Sequence, residues 1–168
     1  AGGRSLAGAK RIIARKDYGG ERLLSEALAP LEGQYDFVIL DTSPSYDVLN
    51  INSLFYAEEV LAPVSMEMLT LLGLADFQES LQAIQRYHQQ LQLRYVLPTF
   101  FDRRVSKSQE ILEQLKAYYP DRLCSPIRYN VRLSECAGFG QTIFEYSPSS
   151  AGAEDYGRLA EEVSKHDR

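Results

Sequence analysis

Residues 35–45 read Tyr35-Asp36-Phe37-Val38-Ile39-Leu40-Asp41-Thr42-Ser43-Pro44-Ser45. The run from Phe37 to Leu40 has no polar position, so it lacks the alternation of a strand with one wet face. Its composition predicts a strand covered on both faces in a parallel sheet. The run then stops at a carboxylate. In open parallel sheets ligands sit beyond the carboxyl ends of the strands, so Asp41 and the residues after it stand where chemistry is expected.

Outward from this stretch the period alternates. Upstream, Leu6, Ala9, Ile12 and Ile13 behind Ser5 as N-cap predict a helix broken at Gly19-Gly20. Leu23, Leu24, Ala27, Leu28 and Leu31 predict a second helix ending at Gly33. Downstream, the pattern predicts a helix over 47–57, a strand over 60–64, a long helix over 73–91 and a strand over 95–99. A helix to residue 118 follows, opened by a Ser106/Gln109 capping box. Residues 123–127 read as a last buried strand, 130–142 as irregular and 153–164 as a closing helix. Strands alternating with helices long enough to cross a sheet give an α/β fold, a mostly parallel sheet flanked by helices, in one domain over 1–168.

Composition bounds the function classes. The 168 residues carry 23 acidic against 18 basic side chains, a net charge of -5, so nucleic acid is expected to be held only by a local basic patch. The most apolar stretches, 60–64 and 69–75, fall far short of the roughly 20 residues that cross a bilayer, and no signal peptide opens the chain. The expected location is cytoplasmic. Cys124 and Cys136 form no C-x-x-C motif and have only His88 and His166 as possible co-ligands, so they read as buried or idle thiols.

An apolar strand ending in Asp is the Walker B pattern, in which the strand fixes a carboxylate that holds Mg²⁺ through its water shell. Taken alone, Asp41 equally fits a turn cap. Its surroundings carry more. The segment YDFVILDTSPS closely resembles the Walker B segment of ParA/Soj-type partition ATPases, with Ser43 in place of the first proline of Pro-Pro-Ser. Val48-Leu49-Asn50-Ile51-Asn52-Ser53-Leu54 is similar to the family's leucine-rich segment ending in Asn-Ala-Leu. Pro63-Val64-Ser65-Met66-Glu67 with Gly73-Leu74 resembles its Pro-x-x-x-Glu…Gly-Leu stretch, and Thr99-Phe100-Phe101-Asp102-Arg103-Arg104 its Thr-x-Phe/Tyr-Asp-x-Arg loop. Ile127-Arg128-Tyr129-Asn130-Val131-Arg132-Leu133-Ser134-Glu135-Cys136 resembles I-P-R-N-V-R-L-S-E-A, and Gly140 to Tyr146 resembles G-K-P-I-x-x-Y with Gln141 and Thr142 substituted.

The resemblance implies the C-terminal part of a P-loop NTPase-like domain. It implies ATP and Mg as cofactors, with Asp41 as the water-mediated Mg acid and Thr42, Pro44 and Ser45 beside the γ-phosphate. Glu67 is implied at the partner subunit, and Thr99, Asp102 and Pro126 near the adenine, the last with doubtful register because Arg128 follows Ile127 directly. Helix capping is an equal reading for Ser45 and Asp47, and a solvated loop acid for Glu67. The implied partners are a second copy of the chain in a homodimer, double-stranded DNA bound without sequence preference and a ParB-like or cargo adaptor protein, with no membrane and a nucleoid-associated location. Arg103, Arg104, Arg128 and Arg132 are the candidate DNA contacts. Ion pairs with Asp102, Glu135 and neighbouring acids are the competing reading.

The family's phosphate loop, K-G-G-x-G-K-T, is expected to lie outside this sequence. Lys107-Ser108 follows Ser106 rather than Gly, and Gly2-Gly3-Arg4-Ser5 lacks the lysine. A non-hydrolysing remnant acting in dimerisation, DNA binding or partner binding is therefore the alternative. A MinD-type membrane ATPase is disfavoured by the acids of 153–168. Tyr118, Tyr119, Tyr129 and Tyr156 are expected in core and rim packing, and the glutamines of 77–91 on a solvated face.

Overall fold

The structure, a computed structural model, describes residues 4–16, 18–43 and 47–165. It divides into two compact units, Ala1–Glu59 with Gln82–Gln92, and Val60–Leu81 with Leu93–Arg168. The first unit holds helices α1 (Arg4–Ala14), α2 (Leu23–Leu28) and α3 (Val48–Tyr56), with 3₁₀ turns at Gly20–Arg22 and Ala29–Leu31 on either side of α2. Pro30 sits in the second of these turns and ends the predicted continuous helix early. Asn52 is 2% exposed and ties α3 to the chain before it. Its Oδ1 accepts from Leu24 N at 3.1 Å, and its Nδ2 donates to Gly20 O at 2.9 Å.

The second unit carries the sheet. Strand β1 (Glu59–Ser65) pairs with β2 (Gln92–Thr99), joined by α4 (Met68–Gln85), and residues 123–128 run parallel along the other edge of β2. Cys124 N donates to Val96 O at 2.9 Å and Ile127 N to Pro98 O at 2.8 Å. Pro98 and Pro126 have no N–H to give, so this ladder is reduced to bridges at Val96/Leu123 and Phe101/Arg128. Helices α5 (Ser106–Tyr118), α6 (Val131–Gly138), α7 (Ile143–Tyr146) and α8 (Ala151–Lys165) complete the unit. Tyr95, Leu97, Cys124 and Ile127 form a buried cluster, with Leu133, Leu159 and Val163 packed on it. Burial, then the negative field of Glu162, pushes the Cys124 thiol up to about 11, so it is a protonated packing group. The α/β class with a parallel sheet flanked by helices is the one expected.

Several local expectations need correction. The predicted strand over 35–41 does not form: these residues lie in no helix or strand and pair with no strand among the described residues, and Ile39 is 89% exposed. Apolar composition makes a strand only where another backbone offers hydrogen bonds. Helix α4 begins at Met68, with Gly73 inside it, and ends at Gln85. Ser5 lies within α1 rather than capping it. Ser106 starts α5 without a side-chain cap, and Gln109 Nε2 instead donates to Arg103 O at 2.6 Å. The irregular reading of 130–142 missed α6, which Asn130 caps by accepting from Arg132 N at 2.9 Å. Tyr118 and Tyr129 are 79% and 61% exposed rather than packed. Gln78 is less solvated than expected, since its Oε1 accepts from Tyr119 OH at 2.9 Å.

Candidate functional site

Asp41 and Thr42 are in the first unit, exposed and outside any helix or strand. Pro44 and Ser45 lie outside the described residues. Asp47 opens α3: its Oδ1 accepts from Leu49 N at 2.9 Å and Asn50 N at 3.2 Å, and its Oδ2 from Lys10 Nζ at 2.6 Å. Asn50 Nδ2 donates back to Ser43 O, fastening the end of the segment that carries Asp41. The capping reading of Asp47 thus describes its geometry.

All the other candidates are in the second unit. Glu67 stands exposed in the turn from β1 to α4, where its N–H donates to Ser65 O at 2.7 Å and its carbonyl accepts from Thr70 N at 3.1 Å. Thr99 ends β2 half-buried. Phe100 follows with φ of 55° and is 63% exposed, a left-handed conformation unusual for a bulky residue. The two arginine loops leave neighbouring strand ends. Phe101 N donates to Ile127 O at 3.0 Å and Tyr129 N to Phe101 O at 2.9 Å, which sets 99–104 beside 126–132. Pro126 is half-buried at the start of the second loop.

The charges in these loops are organised as ion pairs. Asp102 Oδ1 accepts from Arg104 N at 2.9 Å and from Nε at 3.0 Å, and its Oδ2 from Arg104 Nη2 at 2.8 Å. These side-chain and backbone donors hold the Asp102 carboxyl at about 2. Arg132 Nη1 donates to Glu135 Oε2 at 2.8 Å, and Tyr146 OH donates to the same oxygen at 3.1 Å. Arg128 is committed most fully. Its Nε and Nη2 reach Asp155 at 2.7–3.1 Å, Nη2 also reaches Glu154 at 2.6 Å, and its backbone N–H donates to Asp155 Oδ2 at 2.9 Å. Burial raises the Asp155 carboxyl, but the Arg128 donors outweigh it and the net shift is downward. Arg103 and Arg104 stand exposed, whereas Arg128 clamps the second loop to α8. Sequence reasoning missed Asp155, an acid on the inner side of α8 beside Gly152 and Leu159. A carboxylate at the edge of an apolar stripe was its signal.

A hollow of about 460 Å³ lined by Gln78, Tyr118, Tyr119 and Arg122 contains none of the candidates. No group of three His, Cys, Asp or Glu side chains among the described residues is placed to hold a metal ion. No helix among them is long and apolar enough to cross a membrane.

A parallel sheet flanked by helices, with polar loops gathered at its carboxyl end, is the arrangement of P-loop NTPase-like proteins. A family model described as AAA domain matches residues 3–93. The chromosome partitioning protein ParA of Myxococcus xanthus is 34% identical over 96% of this chain and 58% of its own length. The chromosome-partitioning ATPase Soj of Thermus thermophilus is 40% identical over 86% of this chain and 58% of its own. Cobyrinic acid a,c-diamide synthase of Mycobacterium smegmatis, solved with a bound ATP analog and magnesium, superposes with a TM-score of 0.77 at 29% identity, over 96% of this chain and 59% of that one. The chain belongs to this AAA-domain family, and the curated relatives it is similar to are ParA/Soj-type chromosome-partitioning proteins. It spans a little under three fifths of the length of these two curated relatives.

Proposed function

We propose that the chain supplies the C-terminal part of a partition ATPase that dimerises with ATP, binds DNA without sequence preference and segregates DNA or positions another cargo through a ParB-like adaptor at the nucleoid. The observation that carries this reading is the meeting of two loops at one end of the sheet. Thr99, Asp102, Arg103 and Arg104 stand on one and Arg128 and Arg132 on the other, bonded through Phe101, in a chain matching partitioning proteins along most of its length. Arg103, Arg104 and Arg132 take the phosphate-contact role. Arg128 holds their loop in place through Asp155.

Asp41 and Thr42 offer hard oxygens in open backbone, a donor set that suits Mg²⁺ bound through one carboxylate, its own waters and a nucleotide phosphate. Magnesium there would neutralise phosphate charge, and Asp41 would hold it through its water shell. A triphosphate also needs consecutive backbone N–H groups and a lysine, and no G-x-x-x-x-G-K-[ST] occurs in the 168 residues. Isothermal calorimetry of this polypeptide is therefore expected to show no Mg²⁺-dependent ATP binding, and micromolar binding would overturn that assignment. For DNA, the test is anisotropy with unrelated duplexes over a salt series. Arg103→Gln/Arg132→Gln is expected to weaken binding equally for all sequences, whereas retention of full affinity would leave Arg132 to its ion pair with Glu135 and Arg103 without a DNA role.

A further inference from the structure

Between Arg4 and Arg22 the sequence carries six basic residues against two acids, in a chain whose net charge is -5. Three of these, Arg4, Lys10 and Arg11, are on α1, and Arg15 and Lys16 follow it directly. At 3.6 residues per turn Gly8 and Arg11 share one face of α1, and Arg15 stands in the turn after the helix, its N–H donating to Ile12 O at 3.2 Å. The two lysines are engaged: Lys10 Nζ meets Asp47 at 2.6 Å and Lys16 Nζ meets Glu26 at 3.7 Å. Arg11 and Arg15 are exposed, and neither enters an ion pair among the described residues. The surface over Gly8 is open, since a methyl group added there would touch nothing within 4 Å.

The opposite face is turned inward. Ala9 and Ile13 are half-buried, and Gly20 lies so close that a methyl group on it would stand 3.1 Å from Ile13 O. With α1 seated by its apolar side and by the Lys10–Asp47 pair, Arg11 and Arg15 stand exposed without an ion pair among the described residues. The loop arginines 104, 128 and 132 differ, since each already holds a carboxylate.

We propose that the Gly8/Arg11 face of α1, together with Arg15 in the turn that follows it, is a second duplex-DNA contact, independent of the strand-end loops and reading phosphates only. Two guanidinium groups four residues apart bond phosphate oxygens on any sequence, and the missing side chain at Gly8 lets the backbone come close. An anionic membrane is the less suited polyanion. A surface helix binds lipid by burying a broad apolar face, and the apolar side of α1 is occupied by its own unit, with Ile12, 65% exposed, standing apart from it. The inference rests on the DNA-binding reading above and adds the surface that does the binding.

The test uses the 168-residue chain and an unrelated duplex of about 30 base pairs, with affinity followed against salt. Arg11→Gln/Arg15→Gln is expected to weaken binding and to lower the log–log salt slope by about 1.8, at roughly 0.9 per phosphate contact. Arg11→Lys/Arg15→Lys, which keeps the charge, is expected to retain the slope. Both positions are exposed, so circular dichroism should show the same helix content in all variants. If the glutamine pair binds with the wild-type slope while Arg103→Gln/Arg132→Gln loses it, the α1 assignment is overturned and the DNA-binding reading stands. If wild type shows no salt-dependent duplex binding, both fall. If vesicles of phosphatidylserine and phosphatidylcholine lose the glutamine pair while duplex binding is unmoved, α1 is a lipid contact and the DNA assignment is overturned.

Discussion

Val96, Ile111 and Leu115 in the second unit are 0% exposed, whereas Tyr35, Phe37, Val38 and Ile39 in the first are 45–89% exposed. Both sets are apolar. The difference lies in the backbone. Strand β2 has a hydrogen-bonded neighbour on each edge, β1 on one and 123–128 on the other, so its side chains enter layers that helices cover. Residues 35–41 have no such neighbour among the described residues. The first unit is held instead by polar fastenings, Asn52 in its interior and Asp47 at the start of α3. Burial of apolar area and satisfaction of polar groups are alternative ways to fix a chain, and each unit leans on one of them.

The largest test of this contrast falls on a polar fastening of the second unit, the Arg128–Asp155 pair. Arg128→Ala strands Asp155, whose side chain is 1% exposed, and removing one partner of a buried pair costs about 3–5 kcal/mol. Arg128 itself is 43% exposed and its backbone N–H stays bonded to Asp155, so a loss near 3 kcal/mol is expected. At about 2–4 °C per kcal/mol for a chain of this size, that is a fall of roughly 6–12 °C in Tm. A change below about 1 kcal/mol would class the pair with ordinary surface bridges.

Asn52→Ala probes the first unit in the same currency. It leaves Leu24 N–H and Gly20 C=O without their partner, and orphaned buried groups cost about 1–3 kcal/mol each, less where water reaches them. A loss of about 2 kcal/mol is expected in urea unfolding. Amide exchange should speed up across α2 and α3 while β2 keeps its protection. Equal acceleration in β2 would show that the two units do not open separately.

A smaller effect comes from pH. Asp102, held at about 2 by Arg104, and Asp155, lowered by Arg128 against its burial, both have folded values below the ordinary carboxylate. Such groups contribute stability that is complete above roughly pH 4, the unfolded value, and is lost as pH falls through the folded value. Tm measured from pH 6 downward should therefore decline below about pH 4. In Asp102→Asn and Asp155→Asn that decline should be shallower, and an unchanged slope in both would mean that other carboxylates govern it.

How far these features were legible in the residues depends on range. The strands at 60–64 and 95–99 and the helices at 48–56, 106–118 and 151–165 follow from period and composition, which act locally. The capping box shows the limit. Ser106/Gln109 and Thr142/Glu145 have the same pattern, yet only the second forms, with Glu145 Oε2 accepting from Thr142 N at 2.8 Å. At the first, Val105 occupies the cap position and Gln109 is drawn to Arg103 O. Helix α6 is not evident from period because its eight residues make little more than two turns, although Asn130 marks its start. The four site arginines were visible as residues, but their carboxylate partners were only partly so. Glu135 and Asp102 lie within three positions of their arginines, while Asp155 is 27 residues from Arg128.

The smallest expected effect bears directly on the opening contrast. Ile39 is 89% exposed, more than any other residue of its apolar run, so Ile39→Ser removes no buried surface and is expected to change unfolding free energy by less than about 0.5 kcal/mol. A buried strand residue would lose several times as much. The same exposure has a second consequence. Consecutive exposed apolar side chains of high β-propensity are a template for pairing with another chain. Ile39→Lys should therefore leave Tm unchanged while reducing light scattering at high concentration, because a charge on the run opposes edge-to-edge association. If Ile39→Ser instead cost 2 kcal/mol or more, residues 35–41 would be a covered strand after all, and the two units would be stabilised alike.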